Sequence, residues 1–256
     1  MNPMKKITRT ALQIIAIVTM TIDHSGKLFA QYGTWIFDVC CIIGRIAFPL
    51  FCFMIAEGSR HTRNIWKYLL RILVFALLIE GFFFIYSYYF GGIDKYYLNI
   101  FFTLALGLLI VALLKNDKWY IKLTSVVPVA LLFLFCTVIK KVTIFHVPFY
   151  LGFENGFYGI FLIIWFSLFE KRYLQVIGIV IASILFCEHG LFYQLYLPDF
   201  YLPFYYQWFG MLAIPFIWLY NGKKGKFQLP RYFVYFYYPI HMLVIYGIYL
   251  LILVIR

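Results

Sequence analysis

Charge is what this sequence has least of. Only 12% of its 256 residues are charged and just 10 are acidic, against 64% hydrophobic and a mean hydropathy of +0.88. A water-soluble domain of that length needs far more polar surface to cover its core, so a soluble fold is excluded. Cysteine is sparse as well. Cys40, Cys41, Cys52, Cys136 and Cys187 lie in or beside apolar runs and form no Cys-x-x-Cys pair, which reads as small apolar packing residues and not as a disulfide framework or a zinc site. There is no Gly-x-Ser-x-Gly elbow and no Gly-x-x-x-x-Gly-Lys-Ser/Thr loop. The two central histidines, His24 and His241, lack metal-ligand spacing, so the expectation is no metal. The first apolar run continues through Thr-Ile-Asp-His without a small-residue cleavage site and reads as a retained helix.

Apolar runs, by contrast, recur from end to end. A membrane span needs roughly 20 apolar residues in helix. Nine stretches qualify, at about 9–30, 35–57, 66–89, 97–114, 119–139, 146–168, 173–193, 203–220 and 232–254. Unpaired backbone groups are costly in lipid and barrel-type alternation is missing, so these are expected to be helices. The expected fold class is all-α: one polytopic transmembrane bundle of about nine spans over residues 1–256, with no internal repeat. Pro198, Pro203 and Pro215 surround the weakest span, 203–220, which is expected to be kinked or partly re-entrant.

A net charge of +12 first suggests nucleic acid, but the 22 Lys and Arg sit mostly in short gaps between apolar runs, where they set orientation and meet anionic headgroups. The partners expected are therefore membrane lipids and no nucleic acid. Lys5, Lys6 and Arg9 precede the first run. Alternate gaps carry Arg60, Arg63, Lys67 and Arg71; Lys115, Lys118 and Lys122; Lys171 and Arg172; and Lys223, Lys224, Lys226 and Arg231. That places 16 on one side, against 5 on the other (Lys27, Lys95, Lys140, Lys141 and Arg256), and predicts a cytoplasmic N-terminus with an external C-terminus.

Ionisable groups inside spans cost roughly 2.5–3.5 kcal/mol each on insertion scales and tend to face a bundle interior or a wet cavity. Met20, Asp23, His24 and Lys27 share one face of the first helix. Either His24 is a proton-transfer group beside a carboxylate, or the stripe is an interfacial helix end with Lys27 snorkelling to the headgroups. Arg45 lies near the middle of the second span. It is either one half of an interhelical ion pair, with Asp38 or Glu80 as its partner, or the anchor of an anion at membrane depth. Pro49 is expected to kink that helix beside it. Arg63, Lys67 and Arg71, spaced by four, and the loop Asn221-Gly222-Lys223-Lys224-Gly225-Lys226 border one mouth of the bundle. Positive-inside topology explains such clusters, and a glycine-spaced lysine loop also suits phosphate. In the last helix Tyr237 stacks below His241, with Tyr238 one turn away; a buried histidine bonded to a neighbouring helix is the plain explanation. Glu154, Glu188, His189 and Gln207 either line an external acceptor pocket or cap helix ends.

The segments Met20–Gly26, Ile43–Phe51 with Glu57-Gly58 and Thr62-Arg63-Asn64, Asn99–Gly107, Tyr220–Gly225 and Tyr238-Pro-Ile-His241 resemble, in order and spacing, the TraX family of membrane acetyltransferases. That family is named for a conjugation protein that N-acetylates the pilin amino terminus. It is similar in arrangement to a wider group of transmembrane acyltransferases that includes the lysosomal heparan glucosaminide acetyltransferase. The resemblance implies a bacterial cytoplasmic-membrane enzyme with acetyl-CoA as donor substrate and an extracytoplasmic pilin, peptide or glycan as acceptor. It makes His24 the general base with Asp23 in support. Arg45, Arg63, Asn221, Lys223 and Lys226 become donor-binding candidates, and Glu57, Glu80, Tyr238 and His241 substrate-side candidates. One departure stands out: the family pattern Ser-Glu-Ile-Pro-Phe is replaced by Ile79-Glu80-Gly81-Phe82-Phe83, which implies a straighter helix and a different acceptor. A transporter or flippase of a small anionic or lipid-linked substrate is the rival reading, and a scaffold whose polar groups only hold helices together is a third.

Overall fold

The computed structural model describes residues 6–90, 98–134, 141–144, 147–150, 153–186, 204–230 and 232–255. Its helices are α1 (Arg9–Phe29), α2 (Trp35–Gly44), α3 (Ala47–His61), α4 (Ile65–Phe90), α5 (Ile100–Leu114), α6 (Trp119–Leu123), α7 (Val126–Leu134), α8 (Gly156–Leu168), α9 (Arg172–Phe186), α10 (Ile214–Trp218) and α11 (Phe233–Ile255). A 3₁₀ segment, Phe204–Ala213, leads into α10. Short polar side chains start the helices by accepting orphan backbone N–H groups: Thr8 from Ala11, Thr34 from Phe37, Asn64 from Lys67 and Asn99 from Phe101.

Two of the expected spans are broken by proline. Pro49 has no N–H to offer Arg45 C=O, and α2 gives way to α3 across Arg45–Ile46. Pro128 stands in the same relation to Thr124, where α6 ends before α7 begins. The expected span at 119–139 is thus two short helices, and the first break places the Arg45 side chain at an interruption inside the bundle. The 203–220 stretch enters as a 3₁₀ segment and continues as α10 with Pro215 in its first turn, in line with the expected kink. Pro239 leaves α11 continuous.

Among the described residues the bundle is helical as expected, with one local exception. Within the expected 146–168 span, Val147–Tyr150 forms a strand (β2) pairing antiparallel with Lys141–Ile144 (β1), in register Lys141↔Tyr150 to Ile144↔Val147. The helix begins only at Gly156, after Asn155 with φ 54. The segment Val-Pro-Phe-Tyr is as apolar as a helix, but its β-branched, proline and aromatic residues favour extended backbone. Among the described residues, three stretches are long and apolar enough to cross a membrane: Trp35–His61, Ile65–Ile85 and Phe233–Ile255. Helices such as α5, with 15 residues, rise about 22 Å, less than a ~30 Å hydrocarbon core. The Ile79–Phe83 departure falls inside α4, which runs unbroken for 26 residues.

The core sits around α3, whose residues Ala47–Ala56 are nearly all buried, with α1, α4, α5, α8 and α9 packed about it. Apolar side chains of α4 and α11, among them Leu78, Ile85, Leu243 and Leu251, face outward, as lipid contact requires. Cys41 and Cys52 are fully buried and free; Cys136 and Cys187 lie outside the described residues. α1 and α2 approach closely because two glycines permit it. A Cβ at Gly44 would lie 2.2 Å from Asp23 Cβ, and one at Gly26 would lie 2.2 Å from Cys40 Cβ. Gly44→Ala is therefore expected to force the helices apart, lowering stability by about 1–3 kcal/mol. Thermal unfolding of the detergent-solubilised protein checks this; an unchanged midpoint would contradict the packing.

Candidate functional site

A cavity of about 610 Å³ runs between α1, α3, α4, α5 and α11. From α1 it is lined by Arg9, Gln13, Met20, Asp23, His24 and Lys27, the stripe read from the sequence extended back to the helix start. Arg9 to Lys27 spans about 27 Å of helix, so the cavity follows α1 for most of its length. Residues at opposite ends of their elements mark its two ends. Arg9, His61, Thr62, Arg71 and Lys224 surround one; Lys27, Glu154, Asn155 and Gln207 surround the other.

Near the second end lies an ionic cluster. Asp23 is buried and is met by Lys27 Nζ at 2.5 Å and Arg45 Nη2 at 3.3 Å. Arg45 also donates from Nε to Cys41 O (3.4 Å) and from Nη1 to Gln207 Oε1 (3.5 Å). Asp23 of α1, a partner not expected from the sequence, thus faces Arg45. Glu80, one of the partners expected from sequence, is committed elsewhere: it accepts from Asn99 N (3.0 Å) and Asn99 Nδ2 (2.8 Å) and does not line the cavity. One carboxylate shared by two cations is well satisfied, so this cluster withstands burial that an isolated charge would not.

His24 does not use its neighbour Asp23. Its Nδ1 is 2.7 Å from His241 Nε2 on α11, with ring centroids 5.0 Å apart and planes 18° apart. His241 is buried behind His24 and is not a cavity-wall residue itself. Tyr238 does line the cavity, 6.3 Å edge-on from His24. Gln207 Nε2 is buried without a hydrogen-bond partner among the described residues, and Gln207 faces the cavity. Asn155 occupies the left-handed region at the cavity rim, a conformation that needs support: Thr103 Oγ1 donates to Glu154 O at 2.5 Å, beside it.

At the first end, Arg9, Arg71 and Lys224 bring three cations to one mouth. Arg71 lies 5.5 Å over the Tyr68 ring, and its buried Nε has no hydrogen-bond partner among the described residues. The 221–226 loop is strapped to the start of α1: Arg9 N donates to Lys223 O (2.8 Å), Asn221 N to Ile7 O (2.9 Å) and Thr10 Oγ1 to Lys224 O (2.7 Å). Gly225, at φ 97 and packed on Thr8, is where that strap requires glycine. Of the loop, only Lys224 reaches the cavity. Asn221 spends its side chain on Lys223 N (2.8 Å), and Lys223, Lys226 and Arg63 are exposed outside it. Glu188 and His189 lie outside the described residues.

Glu57, a substrate-side candidate from sequence, belongs to a separate polar knot. It pairs with Arg60 (2.6 Å) and His61 (3.6 Å), while Arg60 Nη2 donates to the carbonyls of Phe166 and Phe169. Lys115 Nζ donates to Ser59 O at 3.2 Å, and burial together with nearby Arg60 holds its ammonium below the ordinary value. This knot ties the end of α3 to α8 and α5. Glu57→Gln is expected to lower stability by about 2–3 kcal/mol, since it removes the buried carboxylate from Arg60 and leaves it only the exposed Glu170 at 3.7 Å, yet to leave ligand binding in the cavity unchanged. Thermal unfolding alongside a binding titration separates the two; lost binding at intact stability would return Glu57 to the site.

The fold and the site together define a membrane protein: a helical bundle with an apolar surface and a cavity lined by ionisable side chains. The chain belongs to the TraX family, whose model, described as TraX protein, matches residues 8–249. It is also 30% identical over 246 residues, covering 90% of this chain and 91% of the relative, to the probable fimbrial assembly protein FimC, serogroup H1, of Dichelobacter nodosus. No solved structure matches it.

Proposed function

We propose that the protein is a membrane-embedded acetyltransferase that takes an acetyl group from cytosolic acetyl-CoA and delivers it to an amine or hydroxyl of an extracytoplasmic acceptor such as a pilin N-terminus, peptide or glycan. The observation that carries this reading is one cavity with a cluster of cations at one end and a histidine far along it. Its volume, about 610 Å³, falls within the ~300–1,000 Å³ typical of ligand pockets. In this reading the chain crosses a bacterial cytoplasmic membrane about nine times, with the N-terminus inside and the C-terminus outside. The Arg9, Arg71 and Lys224 mouth then opens to the cytoplasm.

The donor phosphates sit at that mouth, against Arg9, Arg71 and Lys224, and the pantetheine arm follows α1. From Arg9 to His24 is about 22 Å of helix, a distance that an extended pantetheine arm with its pyrophosphate covers approximately. The acceptor enters from the Glu154 and Gln207 end. Its nitrogen or oxygen attacks the thioester carbonyl, a C–N or C–O bond forms and the C–S bond breaks. The acceptor proton passes to His24 and then to the departing thiolate sulfur, giving free CoA. Gln207 Nε2 offers a hydrogen to the oxygen that gains charge in the tetrahedral intermediate. Arg45 is held in place by Asp23 and adds positive potential beside it. A fimbrial assembly relative fits an acceptor outside the cytoplasm.

The test is the full chain in proteoliposomes with labelled acetyl-CoA outside its cytoplasmic face and peptides with free N-terminal amines as acceptors. Transfer of label, with an acetyl-sized mass gain on the peptide, is the expected result. Saturable acetyl-CoA binding without any transfer to amine or hydroxyl acceptors would count against it, as would no binding at all. Movement of an anionic substrate across sealed vesicles in the absence of acyl-CoA would make the protein a transporter instead. Mass spectrometry of envelope components from cells with and without the protein identifies the natural acceptor.

A further inference from the structure

The pairing between His24 and His241 fixes more than a contact. His241 Nδ1 lies 2.8 Å from the backbone oxygen of Tyr237. A carbonyl oxygen only accepts, so Nδ1 of His241 carries a hydrogen. In the neutral ring Nε2 is then a bare lone pair, and it faces His24 Nδ1 at 2.7 Å. Two lone pairs at that distance would repel, so His24 Nδ1 carries the shared hydrogen. The remaining nitrogen of His24, Nε2, is left as a lone pair on a ring that lines the cavity. The ring geometry agrees: two imidazoles nearly coplanar, at 18°, with centroids 5.0 Å apart, are aligned nitrogen to nitrogen.

We infer that His241 is a positioning residue: held by the Tyr237 carbonyl, it selects the Nδ1–H tautomer of His24 and so makes His24 Nε2 the basic atom of the site. This rests on the acetyltransferase reading for its chemical consequence, though not for the tautomer itself. Without such a partner the two neutral tautomers of an imidazole lie close in energy and exchange through proton transfer with water. Elsewhere a carboxylate often sets the tautomer. Here Asp23, the adjacent carboxylate, is taken by Lys27 and Arg45, and a second histidine does that work. The charged and titratable groups around the pair are Asp23 and Lys27 of α1, Arg45 after α2, and Tyr237 and Tyr238 of α11. Tyr237 is itself fixed, its hydroxyl 2.8 Å from Thr21 Oγ1, so the residue whose carbonyl holds His241 is tied back to α1. In the reaction, the acceptor N–H or O–H proton moves to His24 Nε2 as the new bond to the acetyl carbon forms. It leaves Nε2 for the CoA sulfur as the C–S bond breaks, and the hydrogen on Nδ1 stays with His24 throughout.

His241→Gln and His241→Leu test this in the full-length protein. The glutamine side-chain oxygen can still accept from His24 Nδ1–H, whereas leucine accepts nothing. Leucine is expected to lower kcat about 100-fold with the acetyl-CoA KM unchanged, and glutamine to restore kcat to within about 10-fold of the wild type. A leucine variant with full kcat, or a folded glutamine variant no better than leucine, overturns the proposal. Nitrogen NMR of ¹⁵N-histidine-labelled protein in nanodiscs reads the tautomer directly, with His24→Gln identifying the signals. Protonated Nδ1 and bare Nε2 on His24 are expected; the reverse sinks the inference whatever the activity. Wild-type protein that transfers no acetyl group, yet shows the expected tautomer, would overturn the acetyltransferase reading alone.

Discussion

His24→Gln is expected to lower kcat for acetyl transfer by about 10²–10⁴-fold while leaving the KM for acetyl-CoA within about two-fold of wild type. That loss corresponds to about 3–5 kcal/mol of barrier. Glutamine keeps roughly the length of the side chain and an N–H with which to meet His241 Nε2, but it has no nitrogen lone pair able to take a proton. In the proposed mechanism the donor's phosphates are held by the opposite end of the cavity, so their binding has no reason to change. His24→Ala adds a void beside Tyr238 and His241 and should cost at least as much in kcat. Single-turnover assays with purified variants in proteoliposomes separate chemistry from binding. Full transfer by both variants would remove His24 from the mechanism, whereas a rise in KM at constant kcat would make it a binding residue.

How this site was legible in the sequence differs from residue to residue. The 20, 23, 24 and 27 stripe declared itself by helical spacing, and all four residues line the cavity. Arg45 declared itself by cost, since an arginine in mid-span has to be met, and Pro49 four residues on marked the break that exposes it. That Asp23 meets it was not readable. Asp38 lies nearer in sequence, but Gly44 lets α1 come close enough for Asp23 to reach the guanidinium, a consequence of packing between helices. Asn221, Lys223 and Lys226 looked like a cradle because glycines space them, and the loop's bonds to α1 turn those side chains away from the cavity. Glu57 and Glu80 entered as substrate-side candidates through the family resemblance; each is matched to a structural partner, Arg60 and Asn99. The strand at Val147–Tyr150 escaped hydropathy altogether, because a continuous apolar run does not tell helix from extended chain.

Arg9 and Arg71 were hidden for a different reason: positive-inside topology accounts for both without any ligand. A cation that orients a span and a cation that binds an anion have the same sequence signature. Only the three-dimensional arrangement turns both arginines towards the same cavity mouth. Arg71 is the sharper case, with a buried Nε lacking a partner among the described residues. A donor that is desolvated and unmatched carries a standing cost of about 1–3 kcal/mol, which an arriving anion relieves.

Arg71→Gln and Arg9→Gln are accordingly expected to raise the KM for acetyl-CoA about 10–100-fold each, with kcat little changed. A hydrogen bond to a charged group is worth about 1.5–3 kcal/mol, and each 1.4 kcal/mol is a factor of ten in binding. Lys223→Gln and Lys226→Gln, whose side chains lie outside the cavity, should stay within about two-fold of wild type. Acetyl-pantetheine, which lacks the nucleotide phosphates, supplies the decisive control. It should be a poor substrate for the wild type and should be indifferent to both arginine substitutions. If Arg71→Gln weakens acetyl-pantetheine as much as acetyl-CoA, the arginine shapes the cavity wall and does not hold phosphate. If neither arginine affects KM while Lys223 or Lys226 does, the donor enters beside the 221–226 loop and not through this mouth.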